Sequence, residues 1–379
     1  MKILLAGEYS RLHNTLKEGL TQLGHEVHLI SSGDDFKKYP SDFSIRPVLN
    51  ETQPLLFLRK LIHRFTKYDI ARIEKGIRLL RHLKKLRNYD VVQLINTYPF
   101  ETPLKWEKYF LSRIFANNSK FFLLACGDDY VTNSYYLEGK LKYSVLTPLL
   151  ENPRLRNQFR YSLKYLDPSF KSLHDFVMRH IQAVIPSDLD YAIPYKNHPK
   201  NAGMIPNPVN VDKIAYHFPS LQDRIVIFHG INSANILKKG NTYFSYALDM
   251  LKEKYGDRVK IIETVDLPYE KYMELLKESH IVLDQVFSYD QGYNALEAMA
   301  MGKVVFTGAE REFEAYYGLQ EPVCINALAD AHYLFEQLSG LIENPAKLTA
   351  ISKNARKFVE KEHHYIKIAE KYLTTWQSF

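Results

Sequence analysis

Short apolar runs and amphipathic stretches alternate along the chain. KILLA at 2–6 and HEVHLIS at 25–31 read as strands, and RLHNTLKEGLTQLG at 11–24 reads as the helix between them, closed by Gly24. This is a βαβ unit. DVVQLIN at 90–96, KFFLLAC at 120–126 and QAVIP at 182–186 continue the strand series, with helical patterns between them and near 155–181. The pattern predicts a mostly parallel sheet covered on both faces.

A second alternation follows the stretch 201–223, whose two prolines in IPNPV mark an extended connector. Strands are expected at 224–230, 258–264, 280–285, 303–308 and 321–326, with helices at 240–255 and 268–279 and a helical tail from 328 onward. The expected architecture is α/β: two doubly wound, Rossmann-like parallel-sheet domains facing each other across a cleft, 1–205 and 206–364. No internal repeat or low-complexity segment is evident beyond this two-fold alternation.

Composition agrees with two globular domains. The chain has 379 residues, 46% hydrophobic and 25% charged. Its apolar runs are strand-sized, too short to span a bilayer, and the first ten residues read as strand rather than as a leader. Cys126 and Cys324 stand far apart without metal-type spacing, which suits a reducing cytoplasm. The net charge of +7 is uneven, and 59–87 is rich in Arg, Lys and His. Leu61, Ile62, Phe65, Ile70, Ile73, Ile77, Leu80 and Leu83 recur there at helical spacing, predicting one helix with a buried apolar face. Its basic face is either solvated or a peripheral contact with anionic lipid at the inner face of a membrane, or with a phosphorylated substrate. No zinc finger, aromatic RNA-binding signature or basic zipper accompanies the charge, so no nucleic-acid partner is expected.

In such folds ligands bind beyond the carboxyl ends of the strands. The loops there are GEYSR (7–11), CGDDY (126–130), HGINSANILKKG (229–240) and DQVFSYDQG (284–292). The third holds Gly230, Lys238, Lys239 and Gly240 just before a helix, which suits a diphosphate, although incidental lysines at a helix start read the same way. It is not a Walker loop, and AGEYSRL at 6–12 lacks the glycines of a dinucleotide fingerprint. Glu297 is a lone carboxylate in the apolar helix NALEAMAMG, either an ordinary surface residue or a ligand contact. The short acidic stretches DLD (188–190) and DD (128–129) are weak as metal sites.

These motifs together resemble the GT-B-fold retaining glycosyltransferases of the group 1 type. The matches are LLAGEYSRLHNTLKEGLTQLGHEVHLI (4–30), IPNPVNVDKI (205–214), HGINSANILKKG (229–240) and NALEAMAMGKVVFTG (294–308). They span nearly the whole chain, and the last is the most specific. The resemblance implies transfer of a sugar from a nucleotide-diphosphate sugar to a glycan or lipid-linked acceptor, in polysaccharide or glycoconjugate biosynthesis. It implies no cofactor and no metal, and a C-terminal helix, 365–379, that packs back on the first domain.

By position, Glu297 matches the glutamate that accepts hydrogen bonds from the donor ribose. The amides of Gly292, Tyr293, Asn294 and Ala295 would face the phosphates at a helix start. Lys239 matches the lysine that neutralises the leaving diphosphate. Two departures stand out. Asn232 or Ser233 stands near where the family places an arginine, so either Lys238 takes over its charge or phosphate binding is weaker. Eight positions before Glu297, where an acid is usual, stands Tyr289, so Ser288, Tyr289 or Asp290 is expected to face the sugar. Asp128 is a candidate sugar or acceptor contact, and Gly7, Glu8 and Tyr9 lie on the acceptor side. Two alternatives keep the same cleft: a nucleotide-sugar epimerase or hydrolase, and a nucleotide-binding protein without turnover.

Overall fold

The computed structural model describes residues 1–34, 37–66, 68–221 and 224–379. Six parallel strands form the first sheet: β1 (Lys2–Ala6), β2 (Glu26–Ser31), β3 (Phe43–Ser44), β4 (Val91–Leu94), β5 (Lys120–Ala125) and β6 (Ala183–Pro186). Their order is β3-β2-β1-β4-β5-β6, with Leu4 in register with His28 on one side and Val92 on the other. Five more, β7 (Ile225–Ile231), β8 (Val259–Val265), β9 (Ile281–Leu283), β10 (Val304–Thr307) and β11 (Ile325–Asn326), run parallel in the order β11-β10-β9-β7-β8. Both are doubly wound orders whose direction of winding reverses beside the first strand, so a crevice opens at β1/β4 and another at β7/β9.

Period-two alternation assigns β1 to two layers. Ile3 and Leu5 face Leu12, Leu16 and Leu20 of helix Leu12–Gln22, and Ile368, Tyr372 and Trp376 of helix Tyr365–Gln377. Leu4 and Ala6 face the opposite core with Phe110, Ile114, Leu173 and Val177. The C-terminal helix therefore completes the first domain. Gly19 lets it approach, since a Cβ there would lie 2.4 Å from the carbonyl oxygen of Tyr365. Trp376 Nε1 also donates to Gln93 Oε1 on β4 at 3.2 Å. The chain crosses between domains at two adjacent places, where Val209 donates to His363 at 2.7 Å and accepts from Tyr365 at 3.1 Å.

Most expected elements are present, with three differences. Strand β3 has only two residues in a polar setting, too short for a periodic signal. The region 155–181 is broken into short turns before helix Pro168–His180, because Asp167 precedes a proline and is extended there. The basic stretch is two helices, Leu55–Thr66 and Ala71–His82, rather than one. Of the apolar residues expected on its buried face, Leu61, Phe65, Ile73, Ile77 and Leu80 are exposed, whereas Leu79 and Leu86 join the first core. The inner face of the second helix buries Ala71 and Leu79 and adds polar contacts. Glu74 accepts from the amides of Leu49 and Asn50, and Lys75 pairs with Glu101 at 2.6 Å. No helix among the described residues is long and apolar enough to cross a membrane.

Candidate functional site

The helix Tyr293–Ala300 follows β9 and buries Ala295, Leu296, Ala298 and Met299 in the second core. Its remaining side turns toward the first domain, where the Tyr293 and Thr15 hydroxyls share a hydrogen bond of 2.5 Å. Beside that contact lies a cavity of about 550 Å³, walled by Arg11, Thr15, Asn210, Met273, Tyr293 and Glu297. Glu297 is 9% exposed. Burial pushes its carboxyl up to about 7, against the pull of Arg11 and Lys37. Among the described residues, Glu8, Asp190, Asp284 and Asp290 nearby are all hydrogen-bonded. Glu297 makes no side-chain hydrogen bond to another described residue, so its lone pairs face the cavity as acceptors without donors.

No side chain caps the start of this helix at Gly292. The amides of Tyr293, Asn294 and Ala295 donate to no described group, so the positive end of the helix is open to an anion. Asn294 is exposed beside them.

The loop after β7 is tied down before its lysines begin. Asn232 takes the amide of Ala234, and Ser233 bonds Asp266 through its amide at 2.9 Å and its hydroxyl at 2.6 Å. Gly230 has no room for a side chain, since a Cβ would lie 2.6 Å from the Tyr272 ring. Lys238 and Lys239 sit on the single turn Ile236–Lys239, which Gly240 ends in the left-handed region at φ 65°, against the Val286 methyl. Lys239 Nζ lies 2.7 Å from Asp284 Oδ1, and Asp284 also accepts from Thr307 at 3.1 Å. Lys238 crosses the cleft to Asp128, 3.0 Å from Oδ2, which Ser162 also bonds at 2.8 Å. Thus Asp128 and Lys238, expected separately, form one interdomain pair.

Ser288, Tyr289 and Asp290 are drawn into the seam between the domains. The Ser288 hydroxyl donates to Asp190 Oδ2 at 2.5 Å and the Tyr289 amide to Oδ1 at 3.0 Å. The Tyr289 hydroxyl accepts from the amide of Lys142 at 2.9 Å. Asp290 accepts from the amides of Gln291 at 2.7 Å and Leu189 at 3.3 Å. Asp188 is also at this seam. Burial raises all three acids, Asp190 to about 6 and Asp290 to about 7, and their mutual repulsion adds to it for Asp188 and Asp290. Among the described residues, no group of three or more His, Cys, Asp or Glu side chains is arranged to hold a metal ion.

In the first domain Gly7 holds a left-handed turn at φ 88°, where a Cβ would strike Ile95. The buried Glu8 carboxyl accepts from the amides of His13 and Asn14 and from the Asn14 side chain, capping helix Leu12–Gln22, and burial pushes it up to about 8. Tyr9 lies against Gly127. Sequence reasoning gave no individual role to Arg11, Thr15, Asn210, Asp190 or Asp284, although Arg11 and Asp284 stand in loops after strands, Asn210 in the connector motif and Asp190 in the DLD stretch.

Residues 239–374 match the sequence model of a family described as glycosyl transferase-like. No curated protein sequence matches the chain. Solved structures are similar over its whole length at low identity. HepE of Anabaena, in complex with UDP and glucose, is 12% identical, covers 100% of both chains and has a TM-score of 0.58. Sucrose-phosphate synthase of Thermosynechococcus elongatus is 13% identical over 99% of this chain and 98% of its own, with a TM-score of 0.57. A glycosyltransferase of Rickettsia africae is 14% identical over 100% and 98%, with a TM-score of 0.52. The glycosyl transferase-like match lies in the second domain, and the whole chain shares with these structures the GT-B architecture of two parallel-sheet α/β domains.

Proposed function

We propose that the protein transfers a sugar from a nucleotide-diphosphate sugar to a glycan or lipid-linked acceptor, with retention at the anomeric carbon. The observation that carries the donor half is Glu297, a buried carboxylate without a hydrogen-bond donor that faces a cavity of about 550 Å³. A vicinal diol such as a ribose supplies two hydroxyl donors for one carboxylate, which ends that imbalance. The open amides at the start of the same helix then receive the diphosphate.

Lys239 and Lys238 supply the positive charge that accumulating negative charge on the departing diphosphate requires, so the reading needs no metal. Both have carboxylate partners within the protein, Lys239 with Asp284 and Lys238 with Asp128. Donor binding exchanges these partners for phosphate oxygens. In this reading the acceptor enters from the first-domain side, where Gly7 and Glu8 shape the loop and Tyr9 forms its wall. No side chain stands as an obvious nucleophile, so the departing phosphate takes the acceptor proton in a front-face displacement. UDP and UDP-glucose complexes of HepE support a nucleotide-sugar donor for this fold.

The test is release of nucleoside diphosphate from a panel of nucleotide-sugars, with and without a mixture of glycan and lipid-linked acceptors. Release that requires an acceptor and falls at least tenfold in Lys239→Ala supports transfer. Release without any acceptor identifies a hydrolase, and no release with any donor rejects the proposal.

A further inference from the structure

The helical hairpin 55–82 carries an apolar face that the fold leaves uncovered. On helix Leu55–Thr66 the side chains of Phe57, Leu58, Leu61 and Phe65 are exposed, Phe65 by 77% and Phe57 by 67%. No residue of that helix is buried. On helix Ala71–His82, Ile73, Ile77 and Leu80 form a second exposed stripe at steps of four and three. An isolated exposed leucine needs no explanation, but seven large apolar side chains exposed on two consecutive helices are a concentration that soluble monomers rarely show.

The charge around that patch identifies its partner. From 55 to 87 the chain has eleven Lys and Arg against Asp69 and Glu74, a net +9, whereas the whole chain is only +7. Outside this segment the protein is therefore slightly acidic. The two acids are also spent internally: Asp69 pairs with Arg59 at 2.6 Å, and Glu74 with Arg78 and the amides of Leu49 and Asn50. A protein partner able to cover an apolar patch would need no such excess of cations. A bilayer with anionic headgroups needs both features together.

We infer that the hairpin 55–82 is a membrane-docking surface, which places Phe57, Leu61, Phe65, Ile77 and Leu80 in the headgroup and acyl boundary of an anionic bilayer while the flanking cations meet its phosphates. The inner side of helix Ala71–His82 holds the Lys75–Glu101 pair, and Glu101 lies within electrostatic reach of Tyr9 in the loop after β1. The docking face is thus one helix away from the first-domain wall of the cleft. The inference does not depend on the donor site.

Co-sedimentation of the full chain with phosphatidylcholine vesicles, with and without phosphatidylglycerol, tests it. The parent is expected to bind the anionic vesicles at least tenfold more strongly, and less strongly as salt is added. Two variants, Phe57→Ser/Leu61→Ser/Phe65→Ser and Lys60→Glu/Arg81→Glu, each lose at least tenfold. Both replace exposed side chains, so their melting temperatures and nucleoside-diphosphate affinities match the parent's. Equal binding to both vesicle types, or unchanged binding by either variant, overturns the inference. So does a parent dimer in sedimentation velocity that the triple serine variant converts to monomer, because a second copy would then be the cover.

Discussion

Lys239 Nζ stands 2.7 Å from Asp284 Oδ1, so the cation proposed to meet a diphosphate already has a carboxylate partner within the protein. Asp284 is nearly buried and holds Thr307 with its other oxygen. The pair keeps a lysine oriented in the cleft and sets a threshold that only a more strongly charged ligand overcomes. Lys239→Ala removes the phosphate contact and is expected to weaken nucleoside-diphosphate binding by about 10- to 100-fold. It also leaves a buried carboxylate unpaired, at a cost of about 1–3 kcal/mol in urea unfolding. Asp284→Asn removes the competitor, and calorimetry should show diphosphate binding tightened by about threefold or more.

Glu297 gives a pH signature with a definite sign. Its carboxyl is raised from 4.5 to about 7 in the folded protein, so the folded state holds the proton more tightly than the unfolded chain does. Its contribution to stability is therefore full below about pH 4.5 and is lost as pH rises to about 7, a change of about 3 kcal/mol. Glu297→Gln should flatten that part of the stability profile and leave the protein at least as stable at pH 8. Ligand binding runs the other way. An ionised carboxylate accepts both ribose hydroxyls, so affinity for the nucleotide rises with pH through about 7 in the parent and not in the variant.

The seam acids form a second titrating group. Asp190 at about 6 and Asp290 at about 7 are both raised by burial, with Asp188 raised beside them. Ionisation of all three brings like charges together between the domains, so stability and interdomain contact both weaken as pH rises from about 4 to about 7. Asp290→Asn keeps an oxygen for the Gln291 amide, gives up the longer bond from the Leu189 amide to the other oxygen, and removes one charge. Its urea midpoint should exceed the parent's at pH 8 and converge with it at pH 4.

The Lys238–Asp128 pair spans the cleft at 3.0 Å with both side chains about one-fifth exposed. Partial solvent access limits its worth to about 1 kcal/mol or less, so Asp128→Asn is expected to move the melting temperature by only a few degrees. Its effect on the cleft should be larger. Scattering at low salt is expected to show a greater radius of gyration for the variant than for the parent, and the difference should shrink at high salt.

The strands were legible because most are apolar on both faces, as in the fully buried Val304–Thr307, and the helices between them carry a period near 3.6. The basic hairpin shows the limit of that signal. Periodicity identified an apolar face at Leu61, Phe65, Ile73 and Ile77, but it does not say what covers the face. Glu297 was legible because a carboxylate is out of place in an apolar helix. Thr15 was not, because its role depends on Tyr293, 278 residues away. The same holds for Asp190, whose partners Ser288 and Tyr289 lie 98 and 99 residues further along the chain. A fold brings such pairs together, and no local pattern marks them.

In the proposed function Glu297 receives the ribose of a nucleotide donor. Titration calorimetry of a nucleoside-diphosphate panel against the parent and Glu297→Gln at pH 8 tests it most directly. The account predicts that the parent binds one of the panel preferentially and that the variant binds it at least tenfold more weakly, with an unliganded melting temperature no lower than the parent's. Equal affinity in both proteins, or no binding by the parent, would contradict it.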